Sequence, residues 1–259
     1  MLPDLDFYLI AIPAVLLVGL SKGGMGEALS LMGVPILSMA VSPVQAAALL
    51  LPILIAMDIV SLWMWRKHGD RKTLLMLLPG AIAGILIGWA TSAYVSRDLL
   101  RLIIGLITVL FVLRYVYNVW RMRLGVTIAP KKQRAGPAAL WGSFAGYGSF
   151  VAHAGGPPFQ IYALPLQLDP REYTGTIVRF FAILNAVKLI PYFALGQLDL
   201  SNLKISATLF PLAIVATVCG AFIVRRMKPR IFYPFMYTMA FIAGSKLLWD
   251  GIVGLVATG

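Results

Sequence analysis

Lys22 stands immediately before a glycine cluster, Gly23-Gly24-Met25-Gly26, and Glu27 immediately follows it. Far along the chain His153 precedes a second cluster, Gly155-Gly156-Pro157-Pro158, and Gln160 follows that one. Glycine and proline break helices. A broken helix exposes free N–H groups and a positive dipole end, which suits an anion. Glycine lets backbone approach a ligand closely, and a neighbouring lysine or histidine adds charge. Imidazole changes charge near neutral pH, so His153 could hold an anion at one pH and release it at another. Blander roles are open too. Lys22 and Glu27 could neutralise each other, His153 could be hydrogen-bonded in a helix interface, and the glycines could serve packing. The first cluster is not a P-loop, because the closing GK[ST] is missing.

Further polar residues interrupt long apolar runs. Arg179 falls about eight residues into one such run, where an unpaired guanidinium would cost at least about 2.5–3.5 kcal/mol in a membrane. It must face a ligand, water or a carboxylate such as Asp58 or Glu27. Asp58 could relay protons or bind a cation, or it could be a fixed partner for Arg179 or Lys22. Asn185 and Tyr192 are seven apart and share a helix face. Lys188, Arg114 and Lys246 stand where a long side chain can snorkel toward water. His68 falls in a basic loop and reads as solvated. Ser149 and His153, four apart, are the one nucleophile–base candidate. No metal-ligand spacing is present, so no catalytic or metal-binding residue and no cofactor is expected.

These residues need elements to position them. Of the 259 residues 60% are hydrophobic and 12% charged, against about 25% charged in soluble domains. With a mean hydropathy of +0.86, a soluble enzyme, a nucleic-acid-binding domain and a disulfide scaffold are all excluded. The net charge of +12 is scattered in short runs between apolar segments rather than gathered in one patch. The single cysteine, Cys219, excludes an intrachain disulfide. The acidic start, 1–6, lacks the basic region of a cleaved signal peptide.

Apolar runs fall at about 7–40, 43–65, 73–93, 99–119, 137–167, 172–195, 203–224 and 231–256. Helix is the conformation that satisfies backbone groups in lipid. The first run would make a straight helix of about 51 Å, well beyond a hydrocarbon core of about 30 Å. The first and fifth runs are therefore each expected to be two half-helices meeting at the glycine break, near mid-membrane.

The two halves read as related. Pro43 and Pro170, Asp58 and Asn185, and Gly69 and Gly196 are all 127 positions apart. From the third run the offset is 132, as in Pro79 with Pro211 and Gly88 with Gly220. The expected fold is an all-α polytopic membrane protein of two four-element repeats. The N-terminal repeat is 1–125, a basic cytoplasmic linker 126–136, and the C-terminal repeat 137–259. If the first and fifth runs enter and return, fourteen loop Lys/Arg lie on one side and three (Arg97, Arg101, Lys204) on the other. If each crosses once, the split is only ten to seven. The positive-inside rule favours the hairpins, giving repeats of inverted topology with both termini outside. Glycines at 80, 84 and 88 form a smooth stripe, which serves packing within one chain or a homodimer.

Two segments carry a family resemblance: GLSKGGMGEALSLMGVP at 19–35 and GYGSFVAHAGGPPFQIYALP at 146–165. With both, the chain resembles the TauE/SafE family of sulfite and organosulfonate exporters and related anion permeases. The resemblance covers nearly the whole chain and implies Gly23, Gly24, Gly155 and Gly156 as motif positions. The paired prolines Pro157 and Pro158 depart from the usual glycine string. The expectation is a secondary transporter of a small anion, sulfite or an organosulfonate, in the bacterial inner membrane. Lys22, Gly23, Gly24, His153, Gly155, Gly156, Gln160, Arg179 and Asn185 would bind the substrate between the halves. Glu27 and Asp58, with His153 as a further candidate, would couple transport to an ion or proton. An anion channel and a non-transporting membrane assembly factor are the rival readings.

Overall fold

The computed structural model describes residues 4–26, 28–91, 94–127, 129–194 and 200–258, with side chains at all of these except 43, 44, 47, 191–194, 200–202, 257 and 258. Every regular element among them is helical. Six helices are long and apolar enough to cross a membrane, and Ala48–Met64 is a shorter apolar helix. The chain forms two compact units, Met1–Gly69 with Thr174–Met227, and Asp70–Tyr173 with Lys228–Gly259.

The first unit holds α1 (Leu5–Leu20), α2 (Gly33–Leu37), α3 (Pro43–Met64), α8 (Pro170–Ala194, from Thr174 onward) and α9 (Leu200–Arg226). Ser42 caps α3, its hydroxyl accepting from Gln45 N–H, and Pro43 occupies the first turn, where a missing N–H costs nothing. Helices α1, α3 and α9 run parallel. Tyr8 donates to Thr208 at 3.1 Å, and Gly23 packs on Thr217 and Ala221. Ser206 donates to the Leu49 carbonyl, and Arg225 to that of Met64. Helix α8 is antiparallel to α3, with Arg179 at the 65–68 end and Asn185 at Asp58.

Two parallel helices so close in sequence require a return between them. Gly33 packs on Val18, and Leu37 joins a core with Phe7, Ala11, Ala14 and Leu49. The first run therefore goes down and comes back, as expected of a hairpin. The break is not halfway, however. Gly24 meets Val224 and Thr174, close to where α9 ends and α8 begins.

The second unit holds α4 (Arg71–Thr91), α5 (Arg97–Arg123), α6 (Ala135–Val151), α7 (Gly156–Ala163) and α10 (Pro229–Thr258). Asp70 caps α4 by accepting from Thr73 N–H at 3.0 Å, and Ser96 caps α5 by accepting from Leu99 N–H at 3.2 Å. Helices α6 and α7 make the second hairpin. The Tyr162 hydroxyl at the end of α7 lies back beside the Arg134 backbone, and Lys131 N–H donates to the Pro165 carbonyl at 2.8 Å. This break also lies far along its partner helix, since Val151 contacts Gly88 near the end of α4.

The glycine stripe of α4 is filled from within the chain. A Cβ on Gly80 would collide with the Ala139 carbonyl, and one on Gly84 with that of Ser143. A second copy has no access to this stripe without displacing α6. Across the unit α5 and α10 run antiparallel, with Asp98 at Gly251 and Gly254 and the Tyr115 and Tyr237 rings stacked 3.5 Å apart.

Each unit by itself is polarised. In the first, Arg66, Lys67, Arg225 and Arg226 cluster at the end where α3 and α9 finish. In the second, Arg71, Lys72, Arg121, Arg123 and the linker lysines share one end, while Arg97 and Arg101 lie at the other. Exposed Trp89, Tyr94 and Trp249 mark one end of that unit, and exposed Tyr117 and Trp120 the other. Such aromatic belts mark membrane–water interfaces.

Candidate functional site

At the first break the α-helical ladder of α1 widens into one π-turn, Ser21–Met25, and Gly24 adopts φ 121°. A side chain there would be strained and would collide with Thr174. The turn thrusts Lys22 toward α3. Its Nζ lies 2.7 Å from Asp58 Oδ1, with each side chain only 9% exposed. Asn185 on α8 completes the carboxylate, its Nδ2 donating to Asp58 Oδ2 at 2.6 Å. Lys22 and Asp58 are thus a buried ion pair with a third, neutral member.

The carbonyls released by the break have donors of their own. Ser61 Oγ donates to the Lys22 carbonyl at 2.8 Å, Trp65 Nε1 to that of Gly23 at 3.1 Å, and Ser21 Oγ to that of Gly26 at 2.8 Å. This corrects the expectation of an anion-binding N-terminus here. The first break is the C-terminal, carbonyl-rich end of α1, which favours the Lys22 ammonium. Asp58, Ser61 and Trp65 follow a spacing of three and four, so they share one face of α3. That spacing was the signal by which Ser61 and Trp65 could have been found.

Arg179 is corrected as well. Its Nη1 donates to the carbonyls of His68 and Gly175, and its Nη2 to those of Trp65, at 3.1 Å, and Arg66, at 2.8 Å. The guanidinium closes the carbonyl end of α3. Both terminal nitrogens are committed to backbone, and neither is free for an anion. Lys188 is 5% exposed and so buried, not snorkelling. Lys246 pairs with Asp250 one turn on, at 2.8 Å, and Arg114 is exposed. Glu27 and the side chain of Tyr192 lie outside the described residues.

The second break, in the other unit, has a different construction. Helix α6 ends at Val151, and His153 takes the left-handed turn at φ 52°. Gly155 has an ordinary φ of −77°, so the glycine pair is not the turn itself but the start of α7. Pro157 and Pro158 suit a first helical turn, yet they remove two of the N–H groups that a helix N-terminus would offer. Gly155, Gly156 and Gln160 are buried, whereas His153 is exposed. Gln160 is 1% exposed, and neither Oε1 nor Nε2 of its amide has a hydrogen-bond partner among the described residues. An unpaired buried polar group costs about 1–3 kcal/mol. Gln160 is thus polar binding capacity left open. Beside it, Phe159, Tyr173 and Phe232 pack edge to face.

The described residues thus form apolar helices with two glycine-broken hairpins, one holding a buried ion pair and one a buried amide with no hydrogen-bond partner among them. The family model described as sulfite exporter TauE/SafE matches residues 11–247. The chain belongs to the TauE/SafE sulfite exporter family. No curated protein and no solved structure matches it. Members of the TauE/SafE family are membrane transporters rather than enzymes, and this one is multi-pass. The matched span takes in both breaks and includes Lys22, Asp58, Gln160 and Asn185.

Proposed function

We propose that this protein is a secondary transporter that exports a small oxyanion, sulfite or an organosulfonate, across the bacterial inner membrane. The observation that carries this reading is the buried Lys22–Asp58 pair beside a helix break in a TauE/SafE chain. An intramembrane carboxylate held by one ammonium and one amide is a two-state charge device. Protonating Asp58 releases Lys22, whose ammonium is then available to an anion. Binding of the anion and loading of the proton are thereby linked. In the other unit the Gln160 amide, with no hydrogen-bond partner among the described residues, supports an oxyanion contact of its own, with Nε2 donating. His153 and the dipole of α7 add positive potential at that break. Lys22 is the contact of the first unit, and Gly155 and Gly156 form the contact region of the second unit.

The basic ends of both units face the cytoplasm in this proposal, supported by the charge asymmetry within each unit. Both termini then lie outside. A negative interior drives anion exit, by about 2.3 kcal/mol per charge per 100 mV.

The test is flux in proteoliposomes, with ligands first ranked by thermal shift against sulfite, sulfonates, carboxylates and phosphate. Sulfite loaded on the far side should accelerate labelled sulfite entry, since a carrier shows trans-stimulation. Asp58→Asn should keep this exchange while losing the response of net flux to an imposed pH gradient. Flux without trans-stimulation would make the protein a channel.

A further inference from the structure

The basic linker has a second feature, independent of the breaks. Between it, α5, the start of α6 and the end of the α6–α7 hairpin lies a cavity of about 400 Å³, adjoined by another that shares Lys131, Trp141 and Ile161. The cavities have two kinds of wall. One carries Arg114, Lys131, Lys132 and Arg134 and no acidic residue. The other runs along α5 through Phe111, Leu110 and Ile107. From Arg114 to Ile107 is seven residues, about 10 Å of helix. Leu110 is 56% exposed, so this apolar wall opens to the surroundings of the helices rather than into the core. The basic wall is held in place by backbone: Lys131 N–H on the Pro165 carbonyl, and Arg134 against the Tyr162 hydroxyl. Gln133 fixes the strap between them by donating to Asp70 and Thr73.

We propose that this is a binding site for one acidic phospholipid, its phosphate on Lys131, Lys132, Arg134 and Arg114 and one acyl chain along Ile107 and Leu110. Four cations with no carboxylate in the cavity lining call for an anion, Asp70 beside the strap being engaged by Gln133 and the Thr73 N–H. A small free anion would leave the apolar limb empty, and a neutral lipid would leave the cations unpaired. Charge and depth together select a ligand with a phosphate head and a hydrocarbon tail. The site is at the polar–apolar boundary of the basic end, where Tyr117 and Trp120 are exposed.

Native mass spectrometry of the detergent-purified full chain tests this, with phosphatidylglycerol, phosphatidylcholine and soluble glycerol phosphate as probes. Phosphatidylglycerol should be retained as a single adduct, and the other two should not. Lys131→Ala with Lys132→Ala should weaken retention about 25-fold, about fivefold for each charge. Arg121→Ala with Arg123→Ala removes the same charge from the same end of the unit, outside the cavity lining, and should change retention little. Leu110→Trp fills the apolar limb with all four cations kept, and it should also lose the adduct. Thermal melts of each variant check folding. Equal retention of phosphatidylcholine overturns the proposal, as does equal loss in the Arg121/Arg123 variant. Retention of glycerol phosphate as strong as that of the lipid would make the cavity a small-anion site and overturn it too.

Discussion

The two broken segments resemble each other in sequence and differ in what they do with their polar groups. At Ser21–Gly26 the polar groups that face the protein are closed: ammonium on carboxylate, carboxylate on amide, carbonyls on Ser61, Trp65 and Ser21. At Ala152–Gln160 the helix restarts on two prolines and leaves an amide buried with no hydrogen-bond partner among the described residues. The same device, glycine at a helix break, thus makes a closed charge centre in one unit and an open polar centre in the other. In the function proposed above, the closed pair would open on protonation or ligand exchange, and the open amide would meet the ligand itself.

The largest expected effect comes from opening the closed centre. Asp58→Ala leaves the Lys22 ammonium buried without its partner and should cost about 3–5 kcal/mol of stability. It should appear as a lowered melting temperature of the detergent-solubilised protein. Lys22→Met with Asp58→Leu removes both charges and should restore much of the stability without restoring transport. If Asp58→Ala melts with the wild type, the pair is not the closed centre described.

The two amides sharpen the contrast, because the same replacement should have opposite signs. Asn185→Leu removes a donor to a buried carboxylate and should cost about 1–3 kcal/mol. Gln160→Leu removes an amide with no partner among the described residues and should leave the ligand-free protein as stable or more so. Its cost belongs to binding, read as a lost thermal shift with sulfite or a sulfonate. A destabilised Gln160→Leu would place Gln160 among the satisfied groups.

Much of this arrangement was legible in the residues. Gly24 and the GGPP string announced the breaks, and the fourteen-to-three charge division pointed to the hairpins that the Tyr162–Arg134 and Gly33–Val18 contacts display. Lys22, Asp58 and Asn185 each stand out in the sequence, but their pairing does not. Asp58 could serve Lys22 or Arg179 equally until the geometry of α3 and α8 chose. The role of Arg179 was hidden for a different reason. Its acceptors are main-chain carbonyls, which every residue carries and no sequence marks. The depth of the breaks is not legible in the sequence, because glycine position within an apolar run says where a helix stops, not how far its neighbours extend. We propose inverted repeats from the matching way α1 packs on α9 and α6 on α4.

The smallest expected effect concerns how the second break turns. The turn rests on His153, at φ 52°, and not on either of the glycines beside it. A residue with a Cβ in the left-handed region pays about 1–2 kcal/mol, although histidine is among the residues found there more often than most. Glycine removes that strain but also removes the imidazole and loosens the unfolded chain by about 0.5–1 kcal/mol. His153→Gly should therefore leave the melting temperature within a degree or two of wild type, while His153→Val, β-branched at a left-handed position, should lower it clearly. Gly24→Val at φ 121° offers the matching measurement in the first unit, where collision with Thr174 adds to the strain and the loss should be larger. Should His153→Gly unfold the protein, the imidazole holds the second break through its own contacts, and this break too is closed around a side chain. Should it fold and lose anion binding, His153 is kept at a strained position for its charge, as the proposal of an open centre requires.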